Sequence, residues 1–508
     1  MQKNLGSRHD GGAGRPPRRG QWDLPGYEAA VMLLREPTRP AAVREHRLAP
    51  WFAVATVCFG AFMGQLDASV VTLAFPALQR QFGAGLAEAQ WVSLAYLLAL
   101  VALLVPVGRW SDRLGRKLVY LYGFVVFAGA SAACGLAPTL PALIGLRVLQ
   151  AAGAAMLQAN SVALVSTSVP ADLRRAALAV QAGAQALGLA AGPVAGGLLI
   201  ASVGWRWIFL VNVPVGVVAV VAGVYLLPRT RTRVRAGAGD PAGEVLLAAA
   251  AAGLLIWVSS ASGLNVPFWA AVGSLTAAAA AGAALLWHER RTAAPLIDLP
   301  MLATTRTWPA LAGALCAYLV LFGPLVLLPQ TLGARGTGPL ATGLLLAALP
   351  AGFGLAAVAA EQLLPAGWSN GRRCTAGAVL AACSLAALAI PLPTAALPAP
   401  LALLGAGLGA YIPANNAQIM NAAPTYGAAT AGGMVNMARG LGTALGVALV
   451  TFALHAGRSM GLAGASLLAV AALAMAALAA AWAGTRTGSR LRPGTATLSG
   501  RDEQEGHQ

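Results

Sequence analysis

Apolar residues gather in windows of about twenty, the length a helix needs to cross a hydrocarbon core of about 30 Å. Fourteen such windows fit the chain, at roughly 51–75, 89–109, 117–137, 140–162, 176–200, 205–227, 242–262, 267–287, 307–329, 340–363, 374–392, 398–420, 428–454 and 464–484. Ionisable side chains are nearly absent within them and collect in the short connectors between, as expected when helices cross lipid and loops do not. The pattern predicts an all-α polytopic membrane protein of fourteen spans.

The connectors set its direction. Of the 34 Lys and Arg, about 28 fall in the tails and even-to-odd connectors and about four opposite (Arg80, Arg206, Arg335 and Arg458), leaving Arg147 and Arg439 inside spans. By the positive-inside rule both termini face the cytoplasm of a cell whose inner (plasma) membrane holds the chain. Two basic connectors, Pro228 to Arg235 and His288 to Arg306, suggest a division. A leading tail of 1–50 is followed by a six-helix bundle (51–227), a linker with two inserted helices (228–306), a second six-helix bundle (307–484) and a closing tail (485–508). ALGLAAGPVAGGLL at 186–199 and GLGTALGVALV at 440–450 share glycine spacing at equivalent places in the two bundles. Such repeats mark transporter folds whose site lies between the halves.

Composition agrees: 58% hydrophobic residues, 10% charged and a mean hydropathy of +0.69 leave too little polar surface for a water-soluble chain. The net charge of +17 is scattered over short loops and forms no basic stripe with interleaved aromatics, which argues against a nucleic-acid partner. Cys58, Cys134, Cys316, Cys374 and Cys383 lie in or beside apolar runs without metal or CxxC spacing and read as packing residues. The first apolar run is too long for a signal-peptide core and is expected to be retained as span one. The Arg/Gly/Pro-rich segment before it reads as a disordered tail.

An ionisable group in mid-bilayer costs at least about 2.5–3.5 kcal/mol on insertion scales, so each one marks a functional candidate. Asp67 is the one acid well inside a span, at a depth of ~12 Å, and Arg147 in span four lies ~10 Å deep. They are expected to meet. Two readings follow: a pair whose separation loads and releases a proton, or a permanent ion pair that pins two helices. Arg439, in span thirteen, has no acidic partner in sight, and either answers backbone carbonyls or an anionic substrate group, or snorkels to the cytoplasmic side.

Two further stretches bear on movement. Between spans two and three, GRWSDRLGRK (Gly108 to Lys117) reads as a loop in which Gly108 and Gly115 permit tight turning. There Asp112 can sit at the positive N-terminus of a neighbouring helix, span thirteen by pseudo-symmetry, and Arg113, Arg116 and Lys117 also fit ordinary positive-inside anchors. In span five, Gly188, Gly192 and Gly196 recur every fourth residue beside Pro193 and Gly197, forming a smooth stripe along which a partner helix can slide.

These stretches resemble the major facilitator superfamily, in particular its fourteen-span drug:proton antiporters. LDASVVTLAFP (66–76) is similar to the first-span motif of that branch, GRWSDRLGRK to motif A, RVLQAAGAA (147–155) to the motif carrying the coupling arginine, and GLAAGPVAGG (188–197) to the antiporter motif; WRWIFLVNVPVG (205–216) and PLIDLPML (295–302) resemble stretches common in the branch. The resemblance covers roughly residues 50–484 and implies the major facilitator fold, two six-helix bundles plus two inserted helices. It implies Asp67 and Arg147 in proton coupling, Asp112 and Arg116 in gating, and Gly192 and Pro193 in the bend that distinguishes exporters from importers. Two departures stand out. Thr72 replaces a usual asparagine, and the second-half counterpart of motif A has decayed to AEQLLPAGWSNGRR (360–373), with Glu361 in place of its acid.

No GxxxxGK[ST] loop is present, so an ion gradient is expected to drive transport, with protons as the coupling ion and no cofactor or metal. Alternating access between the bundles calls for a central cavity of apolar walls and few polar groups. Gln65, Tyr96, Gln150, Gln158, Gln185, Asn415, Asn416, Asn436 and Arg439 are candidates by depth to line it. So few charges favour a small amphipathic or lipophilic substrate. A polytopic membrane enzyme would need a His/Asp or metal cluster at the membrane face, which the sequence lacks. An importer of a small metabolite and a non-transporting receptor-like relative are the remaining alternatives.

Overall fold

The computed structural model describes residues 36, 38–170, 173–230, 240–261, 264, 266–292, 307–363, 365, 368–422, 428–457 and 461–488. Regular structure among these residues is helical throughout, and fourteen helical stretches are long and apolar enough to cross a membrane. In chain order the long helices are α1 (Ala49–Phe82), α2 (Trp91–Leu114), α3 (Arg116–Gly135), α4 (Leu140–Ser168), α5 (Arg174–Ser202), α6 (Asn212–Leu226) and α7 (Pro241–Ala261). They continue as α8 (Phe268–Glu289), α9 (Thr307–Ala334), α10 (Ala348–Leu363), α11 (Asn370–Ala389), α12 (Pro398–Ala422), α13 (Ala428–Ala456) and α14 (Gly461–Gly488). A short helix, Pro339–Leu346, leads into α10.

Several helices outrun their apolar windows, α1 and α2 past residues that often end a helix. α1 continues through Pro76 to Phe82 because a proline in a membrane helix removes one backbone bond without ending the helix when neighbours pack around it. It stops at Gly83, whose φ of 63° lets its N–H reach Gln79 O. α2 likewise runs through Gly108 to Leu114, so most of the stretch read as a loop is helical. Only Gly115 breaks the path, at φ 112°, before α3 begins at Arg116.

Lipid tails are as apolar as leucine, so these helices associate through close packing and hydrogen bonds rather than through hydrophobic burial. In the first set α5 lies along α1, α4 packs on α2 and α3, and α6 packs on α3. The second set places α13 along α9, α10 and α11 on α12, and α14 on α9 and α11. Glycines permit the equivalent approach in each. A side chain at Gly188, Gly192 or Gly196 would meet Phe62, Ser69 or Val70 of α1; one at Gly442 or Gly446 would meet Leu315 or Leu319 of α9.

The sets touch where α5 meets the Pro339–Leu346 helix and α10, α2 meets α13, and α1 meets α9. α7 carries α8 on its outer side and reaches both α2 and α13, with a buried bond from Gln90 Nε2 to Ser259 Oγ (3.2 Å) fixing it beside α2. Hereafter the face at which α2 ends and α3 begins, and at which α6 and α10 end, is the basic face.

Candidate functional site

Thr139 caps α4, its hydroxyl accepting from Ala142 N (3.3 Å), and the helix that follows carries Arg147 and Gln150 on one face, three residues apart. That face meets Asp67 of α1. Arg147 Nη1 donates to Asp67 Oδ2 at 2.6 Å, and the two side chains are 1% and 0% exposed. Its Nε donates to Val92 O of α2 (2.9 Å), and Nη1 also reaches Gln150 Oε1 (2.6 Å). The other carboxylate oxygen, Oδ1, accepts from Gln150 Nε2 (3.0 Å) and Asn212 Nδ2 (3.4 Å), while Gln150 Nε2 also donates to Ser131 Oγ (2.7 Å). Above the guanidinium lies the Tyr96 ring, its centroid 4.0 Å from Cζ, with Phe209 on another side at 5.6 Å. Five helices of the first set thus converge on one charge pair whose acceptors are all answered, which is the condition for burying ions at all.

Tyr96 stands between this pair and a central cavity. The cavity is lined by Gln65, Tyr96, Gln158, Tyr318, Phe322, Asn436 and Arg439, among others, and its volume is about 40 Å³. That is room for a water or two, so a drug-sized molecule enters only when the two sets of helices part. Arg439 Nη2 donates to Gln158 Oε1 (2.7 Å), a bond from α13 to α4 that crosses the seam.

Five of the nine cavity candidates, Gln65, Tyr96, Gln158, Asn436 and Arg439, line this space. Gln150 does not. It is fully buried and belongs to the charge pair, because a carboxylate and a guanidinium in the interior both need further partners. Asn415 is also buried away from the cavity, its Nδ2 tying α12 to Ala310 O of α9 (2.8 Å). Gln185 and Asn416 are half-buried and lie outside the lining. Thr72, the departure in the first-span motif, donates to Ser69 O (2.8 Å) within its own helix.

In the antiporter motif, Gly188, Gly192 and Gly196 pack inside the first set, whereas Gly197 and Pro193 face the seam. A side chain at Gly197 would meet Pro339 and Leu340, and one at Gly343 would meet the Pro193 carbonyl. Away from the basic face, Gln330 Nε2 donates to Gln79 Oε1 (3.0 Å), again across the seam, beside a cleft of about 520 Å³ between α1, α9 and the Pro339–Leu346 helix. The sequence carries no local mark of that cleft.

Around the gating motif the findings are partial. Gly108 lies within α2, Gly115 forms the turn and Arg116 is half-buried at the start of α3; the side chains of Asp112, Arg113 and Glu361 lie outside the described residues. Lys117 is buried and its Nζ donates to Val224 O (2.8 Å) and Leu227 O (2.7 Å) at the end of α6. Glu36, from the segment read as a disordered tail, packs under Gly115. Its carboxylate accepts from Thr230 N and Thr230 Oγ1, both at 2.8 Å. These partners explain why an acid is buried here. Sequence reasoning missed Glu36, Ser131 and Asn212; only Asn212 carried a signal, as a lone amide in an apolar stretch.

A family model described as the Major Facilitator Superfamily matches residues 57–447. The chain is 32% identical over 413 residues to the tetracenomycin C resistance and export protein of Streptomyces glaucescens, covering 79% of this chain and 75% of that protein. It is 31% identical over 435 residues to the methylenomycin A resistance protein of Streptomyces coelicolor, covering 82% and 86%. Its fold is similar to the crystal structure of a bacterial homologue of the human lysosomal transporter Spinster, with a TM-score of 0.60 and 15% identity over 87% of this chain and 98% of that one.

Proposed function

The chain belongs to the major facilitator superfamily, and from that premise we propose that this membrane transporter is a proton-coupled antiporter exporting amphipathic small molecules, drugs or antibiotics among them. In this reading it lies in the plasma membrane with both termini cytoplasmic, the direction favoured by the basic connectors. The observation that carries the proposal is the buried Asp67–Arg147 pair. When the helices rock and α4 draws away, the desolvated acid is neutralised by taking a proton, which it releases when the guanidinium returns. Tyr96, in contact with the guanidinium and lining the central cavity, lies where substrate loading can be felt by the pair.

Energetically one such acid suffices. Membrane potential supplies about 2.3 kcal/mol per charge per 100 mV, so a force of ~150 mV gives ~3.5 kcal/mol per proton, enough for ~300-fold accumulation of a neutral solute. Export rather than import is supported by the kinds of relatives described above and by the Gly-Pro stripe of α5 at the seam. The test is accumulation of fluorescent amphiphiles in inside-out vesicles under an imposed pH gradient. Asp67→Asn is expected to abolish gradient-driven accumulation while downhill equilibration of the same dyes persists; undiminished accumulation in the variant overturns the proposal.

A further inference from the structure

Arg439 is the one Asp, Glu, Lys or Arg among the described residues that line the central cavity. It is half-buried in the middle of α13, and among the described residues no carboxylate pairs with it. Its recorded side-chain partner is an uncharged amide oxygen, Gln158 Oε1. A guanidinium carries five donors in a rigid fork suited to carboxylates and other oxyanions, and a charge-assisted bond is roughly twice as strong as one to a neutral acceptor. The only acid at this depth in the described structure, Asp67, is already satisfied by Arg147, Gln150 and Asn212. The remaining walls include Tyr96, Tyr318, Phe322, Leu97 and Leu100, flat or apolar surfaces that suit a planar hydrophobic body.

Resting on the export reading above, we propose that the transported molecules are organic anions: aromatic or polycyclic compounds carrying a carboxylate or an ionised phenol or enol, bound through Arg439. The anion takes the place of Gln158 as acceptor. Because Gln158 belongs to α4 and Arg439 to α13, the exchange removes a bond that holds the two sets of helices together, and loading itself loosens the seam. An amphipathic cation finds a fixed positive charge in the cavity and is rejected. Exchange of an outgoing anion for one incoming proton also moves two charges in the same electrical sense per cycle, so membrane potential acts on both legs.

The test separates binding from coupling. Full-length protein in lipid nanodiscs is titrated with three fluorescent probes of one shape, anthracenecarboxylate, its methyl ester and aminomethylanthracene, and binding is read by anisotropy. The carboxylate is expected to bind about ten- to a hundredfold more tightly than the ester, the range for a hydrogen bond to a charged partner, and the amine not measurably. Arg439→Gln should erase the preference of carboxylate over ester, and Arg439→Lys should retain it at lower affinity, with thermal melting checking that each variant is folded. Failure of the carboxylate to bind, equal binding of ester or amine, or a preference that survives Arg439→Gln overturns the assignment. Selective anion binding by a protein whose vesicles show no gradient-driven transport instead leaves this inference standing and removes the proton-coupled reading.

Discussion

The two bundles repeat one packing scheme and differ in how they hold charge. In each, a glycine stripe of one helix lies against the first helix of its set: α5 on α1, α13 on α9. Yet in the first bundle a guanidinium is locked to a carboxylate, one amide and a backbone carbonyl behind an aromatic ring. The guanidinium inside a span of the second, Arg439, sits on the helix equivalent to α5 rather than to α4 and meets a single amide at the edge of a cavity. A buried ion is stable only when its partners are complete. The complete site needs nothing from outside the protein, and the incomplete one leaves donors for an outside partner. Duplication of a fold need not duplicate its chemistry.

Removing one charge from each bundle tests that contrast most strongly. Arg147→Gln strands Asp67 without its cation and is expected to cost about 3–5 kcal/mol of stability as well as gradient-driven transport. Arg439→Gln leaves only an amide behind and is expected to cost about 1 kcal/mol. Denaturation in mild detergent measures both, and equal losses would erase the distinction between the sites. The double variant Asp67→Asn with Arg147→Gln sharpens it further: with no uncompensated charge left, most of the stability should return while proton coupling does not.

Next in size is the seam itself. In Gly343→Val the new side chain meets the Pro193 carbonyl, and overpacking of this kind costs about 1–3 kcal/mol. Closure of α5 on the Pro339–Leu346 helix should become about ten- to a hundredfold less favourable. Cross-linking of a Gln79→Cys, Gln330→Cys pair would report it as a lower yield; an unchanged yield refutes the seam assignment. The smallest effect belongs to Gln79→Ala, which removes one neutral bond between the bundles and should alter transport rate only a few-fold, in keeping with about 0.5–1.5 kcal/mol per hydrogen bond.

Most of the fold was legible because the signal is local. An apolar run either is long enough to cross lipid or is not, and all fourteen windows correspond to helices. The helix ends were less so. The window for span one closes at 75 and the stretch from Gly108 reads as a loop, but in each case the helix, packed among others, continues. Asp67 and Arg147 were found because charge in an apolar span is rare enough to mark itself. The supporting cast was harder. Gln150 lies three residues from Arg147, and its place beside the pair follows from helical spacing, whereas depth alone put it in the cavity. The Gln158–Arg439 bond joins positions 281 residues apart, and nothing short-range announces it.

One consequence of the buried pair concerns how the chain is made. Asp67 and Arg147 are separated by 80 residues. At a synthesis rate of about 5–20 residues per second the ribosome takes about 4–16 s to cover that distance. For those seconds the nascent first helix has no Arg147 to face, and an acid alone in lipid is costly, so the helix gains from shelter by the insertion machinery. Its partner takes its place only when the fourth helix arrives.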